Sequence, residues 1–192
     1  MLNKKVLTVQ DISCYGQCSL TVALPIISAC GVETCILPSA VLSTHTGGFK
    51  GFTFRDLTSD MPSIVNHWKS ENILFDAIYT GYLGSIEQVG IVENILKTLG
   101  KDGAVKIVDP AFADHGKLYS IFNMDYVNAL KSLVPCSDVL LPNVSEASFL
   151  TGLEYKEEYD EDYIYEVYKK MPKELIKNNE ESGICFKGYA EK

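Results

Sequence analysis

The sequence predicts an α/β fold: a mostly parallel sheet with helices on both faces. Three observations predict it. Short apolar runs alternate with stretches of helical periodicity from one end of the chain to the other, the order that gives a parallel sheet. The run Val139-Leu140-Leu141 passes straight into Pro142 and then into Ser145, Glu146, Ala147 and Phe149, the pattern of a buried strand feeding a helix. The 192 residues suit one domain, 1–192, large enough for a proper core. Composition sets further bounds. Hydrophobic residues are 46% and charged residues 22%, ordinary for a soluble globular protein, and the net charge of −8 argues against a partner bound through nucleic-acid phosphates. No apolar run approaches the ~20 residues of a membrane span. The start runs from Lys4-Lys5-Val6 into a strand with no signal-peptide pattern, so the expected compartment is the cytoplasm.

Residues 5–10 read as the first strand, ending at Asp11-Ile12-Ser13-Cys14-Tyr15-Gly16. Leu20, Ala23, Leu24 and Ile27 then mark a helix, which Pro25 should kink and Gly31 should end. Residues 33–37 make a short second strand. Ser43-Thr44-His45-Thr46-Gly47-Gly48-Phe49-Lys50-Gly51 is a flexible polar loop. It has neither P-loop nor dinucleotide spacing, and His45 is either a surface histidine or a ligand contact. Residues 61–72 look helical. Residues 77–80 form a strand that breaks at Gly81-Tyr82-Leu83-Gly84. Ser85 caps a long helix whose Val89, Val92, Leu96 and Leu99 share a face.

Residues 105–108 are another strand, running into Asp109-Pro110, with Asp114 shortly after. Two carboxylates at a strand exit suit Mg²⁺ or a polar substrate; otherwise Asp109 is a turn former and Asp114 a cap. Residues 125–134 are helical, and 138–141 form the strand before Pro142. Ser145 is the expected N-cap of the next helix, with Glu146 in its first turn. Ligands of open α/β sheets bind outside the carboxyl ends of strands, which puts Asn143 and Glu146 at a ligand rim; the alternative is a plain turn residue and a dipole partner. The acidic stretch 154–166 reads as a solvated approach to a helix faced by Ile164, Val167, Tyr168, Met171 and Leu175, with a break at Pro172. Residues 184–186 form the last strand. The six cysteines show no CxxC or zinc-finger spacing and read as reduced, mostly buried thiols.

Taken in order, Val9-Gln10 with Tyr15-Gly16, Ser43-Thr44-His45-Thr46-Gly47, Thr80-Gly81-Tyr82-Leu83-Gly84, Val108-Asp109-Pro110 with Asp114, and Pro142-Asn143-Val144-Ser145-Glu146 resemble the pyridoxal kinase branch of the ribokinase-like superfamily. Within it, the likeness is to the bacterial pyridoxine/pyridoxal/pyridoxamine kinases, over essentially the whole chain. The resemblance implies a ribokinase-like three-layer sandwich. It implies transfer of the ATP γ-phosphoryl group to the 5′-hydroxymethyl of a B6 vitamer, giving pyridoxal 5′-phosphate in salvage. Asp11, Ser13, His45, Thr46 and Tyr82 would then meet the vitamer. Asp109, Asp114, Asn143, Glu146 and Lys187 would lie on the nucleotide side, with Asp109 and Glu146 holding Mg²⁺. The partners implied are a vitamer and ATP, with no nucleic acid or membrane, in a homodimer.

Two departures from the family pattern carry expectations of their own. At Asp11 many pyridoxal kinases have a serine; an aspartate suits a protonated ring nitrogen or the amine of pyridoxamine. The glycine-rich G-T-G-D-like turn, which supplies the family's anion hole and general base, is not in the sequence. Phe186-Lys187-Gly188 matches the strand before the adenine-side segment. The expectation is a kinase domain lacking its C-terminal part, with the base beyond Lys192 and no turnover alone. The rival enzyme reading is a hydroxymethylpyrimidine kinase, against which the 43–47 loop and Thr80-Gly81-Tyr82-Leu83-Gly84 speak. The rival of another class is a non-catalytic vitamer-binding or interaction protein.

Overall fold

The computed structural model describes residues 4–171, 183–185 and 187. The chain falls into two compact units, Met1–Lys106 and Ile107–Lys192. The first contains β1 (Lys5–Ser13), α1 (Leu20–Ala29), β2 (Glu33–Leu42), β3 (Phe54–Asp56), α2 (Met61–Ser70), β4 (Phe75–Thr80), α3 (Ile86–Thr98) and β5 (Gly100–Val108), whose last two residues belong to the second unit. Its strands lie in the order β3-β2-β1-β4-β5. β1 pairs in parallel with β2 and β4, and β3 runs antiparallel to β2. Leu7, Val9, Leu37 and Ile78 are fully buried in these strands. Val89, Val92, Leu96 and Leu99 are all buried, as the periodicity of α3 requires.

β1 and β2 run further than their sequences suggest. Asp11 and Ser13 are not loop residues. They belong to β1, one on either side of Ile12, and the Ser13 hydroxyl donates to Asp11 Oδ2 at 3.1 Å. Pro38, which should end a strand, sits where the β1–β2 register slips between Gln10 and Ile12. A bulge leaves a backbone position without a ladder bond, so the missing N–H of proline costs nothing there. α1 keeps Pro25 inside it, and Gly31 follows its last turn at φ 79°.

The second unit contains β6 (Ala113–Asp114), β7 (Lys117–Leu118), α4 (Met124–Leu130) with a 3₁₀ turn at Lys131–Cys136, β8 (Val139–Leu140), α5 (Val144–Thr151), α6 (Glu161–Lys170) and β9 (Gly183–Ile184). The end of β5 pairs in parallel with β8, and β8 with β9. β6 and β7 form a hairpin where no strands are expected from the sequence. Its turn, His115-Gly116, has φ of 48° and 70°, the two positive values of a type I′ turn. The helix expected over 125–134 gives way to 3₁₀ geometry ahead of Pro135, which cannot donate an i→i−4 bond.

The N-cap of α5 is Asn143, not Ser145. Asn143 Oδ1 accepts the Glu146 N–H at 2.8 Å and Glu146 Oε2 accepts the Asn143 N–H at 2.7 Å, a reciprocal capping box. On α6 the buried positions are Tyr163, Val167 and Met171, while Tyr168 is 40% exposed. Pro172, Leu175 and Phe186 lie outside the described residues.

The cysteines are all free but not buried. Cys14, Cys30 and Cys185 are exposed and the other three half-buried, because several sit just past strand or helix ends rather than on core faces. No helix among the described residues is long and apolar enough to cross a membrane.

Candidate functional site

The second unit gathers its polar side chains at the carboxyl ends of three strands. Backbone bonds continue the parallel ladder past each end: Leu141 N–H to Val108 O, Cys185 N–H to Leu140 O and Lys187 N–H to Pro142 O, each 2.9 Å. This fixes Asp109, the Asn143–Glu146 cap and Lys187 side by side. The Lys187 ammonium donates to Asp109 Oδ1 and lies 3.3 Å from Glu146 Oε2. Asn143 Nδ2 donates to Ala113 O at 2.8 Å, which ties the cap to the hairpin.

Glu146 does not stand at a rim. Its side chain is 1% exposed, and its Oε1 has no hydrogen-bond partner among the described residues. Burial pushes its pKa up to about 7, against the pull of Lys187 and the Asn143 N–H. Burial acts to lower Lys187, but Glu146 and Asp109 outweigh it and hold the ammonium above its ordinary value.

Asp109, Asn143, Glu146 and Lys187 thus form one cluster. Asp114 stands aside from it: its side chain is 59% exposed and its Oδ1 accepts the His115 N–H within its own hairpin. The sequence did not point to the role that Ser145 takes here, nor to Tyr119 at all. The Ser145 hydroxyl accepts the Gly116 N–H at 2.8 Å, holding the hairpin to α5. Tyr119 has its pKa raised by burial and then by Glu146 and Asp114, so its hydroxyl lies in the field of these acids.

The donor set bears on Mg²⁺. Among the described residues no group of three or more His, Cys, Asp or Glu side chains forms a metal cage. Asp109 and Glu146 do converge on one cation, the Lys187 ammonium, and among the described residues Glu146 Oε1 is buried without a partner. One or two carboxylates, with the remaining positions left to water and phosphate oxygens, is the usual protein share for Mg²⁺. The residues fit a metal that arrives with a nucleotide.

The first unit carries the remaining residues singled out in the sequence. Asp11 and Ser13 are 5% and 1% exposed. Among the described residues Asp11 forms no ion pair, and the Ser13 hydroxyl is its hydrogen-bond donor. His45 is half-buried and Thr46 exposed, on the loop after β2. The His45 N–H donates to Tyr15 O at 3.2 Å, and its ring meets Phe49 edge-on at 5.0 Å. Tyr82 is half-buried in the 81–84 turn. The hydroxyls of Thr44 and Thr80 are buried without partners among the described residues.

Gly16 has φ 106°, and a Cβ there would fall 2.3 Å from His45 Cδ2. Gly16→Ala is therefore expected to displace the His45 ring and to cost about 1–3 kcal/mol of stability through strain alone. A thermal melt checks this; an unchanged midpoint would mean that the two loops do not hold each other.

Comparison with known proteins bears on the family and the fold. A family profile described as phosphomethylpyrimidine kinase matches residues 8–186. A Bacteroides thetaiotaomicron protein described as a phosphomethylpyrimidine kinase, in an orthorhombic form with pyridoxal, is 40% identical. It has a TM-score of 0.82 and covers 89% of this chain and 61% of its own. Pyridoxal kinase from Lactobacillus plantarum is 33% identical, with a TM-score of 0.79, and covers 88% of this chain and 60% of its own. Pyridoxal kinase of Dictyostelium discoideum is 26% identical over 88% of this chain and 57% of its own length, so the chain spans little more than half of that relative. The α/β architecture with its mostly parallel sheet is that of these structures, and the chain belongs to the phosphomethylpyrimidine kinase family.

Proposed function

We propose that the two units are parts of one ribokinase-like kinase domain. On this reading the protein transfers the γ-phosphoryl group of ATP to the 5′-hydroxymethyl of pyridoxal, pyridoxine or pyridoxamine. The observation that carries it is the convergence of Asp109, Glu146 and Lys187 at three strand ends, in a chain whose relatives include pyridoxal kinases.

Phosphoryl transfer needs little covalent help from a protein; it needs in-line positioning and neutralised phosphate charge. Bare carboxylates repel a triphosphate, so Asp109 and Glu146 act through the Mg²⁺ they would hold, which supplies the neutralising charge when bound. Lys187, released from that pair, offers its ammonium to a phosphate oxygen. Asn143 keeps the α5 N-terminus aimed at the same region. Asp114 and Tyr119, on or beside the hairpin, bound the site. In the first unit Asp11, Ser13, His45, Thr46 and Tyr82 bind and orient the vitamer. The reading assigns no general base to the described residues. A homodimer in the cytoplasm completes it.

The family description keeps a hydroxymethylpyrimidine kinase in view as a second reading. Calorimetry with pyridoxal, pyridoxamine, hydroxymethylpyrimidine and Mg·ATP separates the two, alongside a coupled assay for phosphorylated product. The expected result is saturable binding of Mg·ATP and of B6 vitamers, with the pyrimidine bound at least about tenfold more weakly, a difference of ~1.4 kcal/mol. Tighter binding of the pyrimidine would transfer the assignment to the rival enzyme. Vitamer binding without any affinity for Mg·ATP would make the protein a vitamer binder.

A further inference from the structure

Gln88 sits in the first turn of α3 and is wholly buried. A buried amide must find partners for both its oxygen and its nitrogen. Gln88 Oε1 accepts the Gly84 N–H at 2.7 Å, while Nε2 donates to Ser39 O at 2.9 Å and to Thr58 Oγ1 at 2.8 Å, with Asp56 Oδ1 at 3.2 Å. The orientation of the amide is forced. A backbone N–H only donates and a backbone carbonyl only accepts, so Gly84 must face the oxygen and Ser39 the nitrogen. The Thr58 hydroxyl receives from Gln88 and passes its own proton towards Asp56 Oδ1 at 2.5 Å, which also takes the Thr58 N–H at 2.8 Å. The Thr58 side-chain bond leads the causes that hold Asp56 below the usual carboxylate range. The chain of bonds thus has one direction, from Gly84 through Gln88 and Thr58 to a carboxylate.

The other end of this chain is the turn that carries Tyr82. Ser39 Oγ donates to Tyr82 O at 3.1 Å, and the Gly81 N–H donates to Val9 O at 3.0 Å. A Cβ on Gly81 would lie 2.8 Å from Gln10 Cδ, so that end of the turn is pressed onto β1. Two of the three tethers, at Tyr82 and Gly84, run through the Ser39–Gln88 network. None of its members other than the turn itself was singled out by the sequence.

We propose that Gln88 is a positioning residue: it sets the 81–84 turn, and through it places Tyr82 for the vitamer. The proposal rests on the B6 reading above for the ligand, but not for the mechanics of the turn. Gln88→Leu leaves the Gly84 N–H without an acceptor at nearly constant volume. Thr58→Val breaks the same chain one link away and serves if the first variant does not fold. Ile95→Val, another wholly buried position on α3, is the control for general loosening.

Amide hydrogen exchange is read at Gly84 in all four proteins, and pyridoxal and Mg·ATP affinities by calorimetry. Loss of one buried hydrogen bond is worth about a tenfold change. The expected result in Gln88→Leu and Thr58→Val is exchange at Gly84 about tenfold faster and pyridoxal affinity about tenfold weaker. Mg·ATP affinity stays unchanged, and Ile95→Val changes neither. Exchange at Gly84 that does not respond overturns the proposal. So does a loss shared equally by both ligands, or one reproduced by Ile95→Val. Pyridoxal that fails to bind the unaltered protein sinks the B6 reading instead, while exchange at Gly84 still decides whether Gln88 sets the turn.

Discussion

Lys187→Met is expected to abolish Mg·ATP binding and to make the stability of the protein fall steeply between acid and neutral pH. The ammonium is the cation that Asp109 and Glu146 share. Removing one partner of a buried pair leaves the other charges uncompensated, at about 3–5 kcal/mol for a full burial. Lys187 is 35% exposed, so a figure near ~2 kcal/mol after solvent screening is the better expectation. The pH dependence follows from Glu146. Its folded pKa, about 7, already lies above the ordinary 4.5. The folded state therefore holds a proton that the unfolded state has released, and stability falls as pH rises from the unfolded value through the folded one. Below pH ~4.5 the penalty is absent; above ~7 it is complete, at about 3 kcal/mol. Without Lys187 the folded value climbs further and the window extends upward. Lys187 itself has the opposite sign: its raised pKa contributes stability that persists until strongly alkaline pH. Glu146→Gln on the Lys187→Met background should restore most of the stability, because the amide oxygen still caps the Asn143 N–H and carries no charge. It should not restore Mg·ATP binding, while pyridoxal binding persists in both variants. Denaturant titrations from pH 4 to 8 and calorimetry read these outcomes; a single mutant whose stability ignores pH would refute the shared-cation account.

Part of this cluster was legible in the sequence. Strand exits followed by Asp109-Pro110 and Pro142-Asn143 mark a ligand edge by topology alone. The capping box was legible too, because Asn143 stands three residues before Glu146, a spacing that Ser145, followed at the same interval by Ser148, does not have. Burial was not legible. A glutamate in a first helical turn reads as exposed, and nothing in the local sequence shows that the Glu146 side chain is 1% exposed. The same limit explains Gln88. Ser85-x-x-Gln88 looks like a capping box, and half of one exists, since the Gln88 N–H does donate to the Ser85 hydroxyl. The side chain goes elsewhere because Ser39 and Thr58, distant in sequence, offer it better partners. β1 and β2 were cut short because Asp11 and Pro38 are ordinary strand breakers, and only the bulge between them reconciles both with a sheet. The His115-Gly116 turn was readable as a hairpin signal from glycine after a residue that tolerates positive φ.

Asp11→Ser is expected to lower affinity for pyridoxamine by about 10- to 100-fold relative to pyridoxal while making the ligand-free protein more stable. The argument starts from an imbalance. Asp11 is 5% exposed on a central strand, yet among the described residues it has no cation, only the Ser13 hydroxyl at 3.1 Å. Burial disfavours a carboxylate that nothing positive meets. On the proposed function, what meets it is the ligand: the amine of pyridoxamine, or the protonated nitrogen of the ring. A charge-assisted hydrogen bond of this kind is worth about 1.5–3 kcal/mol, which sets the expected span. Serine removes the charge and keeps a hydroxyl for a neutral ring substituent, so pyridoxal loses less than the amine does. The gain in stability without ligand distinguishes this account from simple damage to the site, which would lower both quantities. Calorimetry with pyridoxal, pyridoxine and pyridoxamine, paired with denaturant unfolding of the free proteins, measures both sides. Three vitamers that keep equal affinities before and after the change would mean that Asp11 meets no positive group. A serine variant less stable than the parent would mean that the carboxylate is part of the strand's own bonding rather than a charge waiting for its ligand.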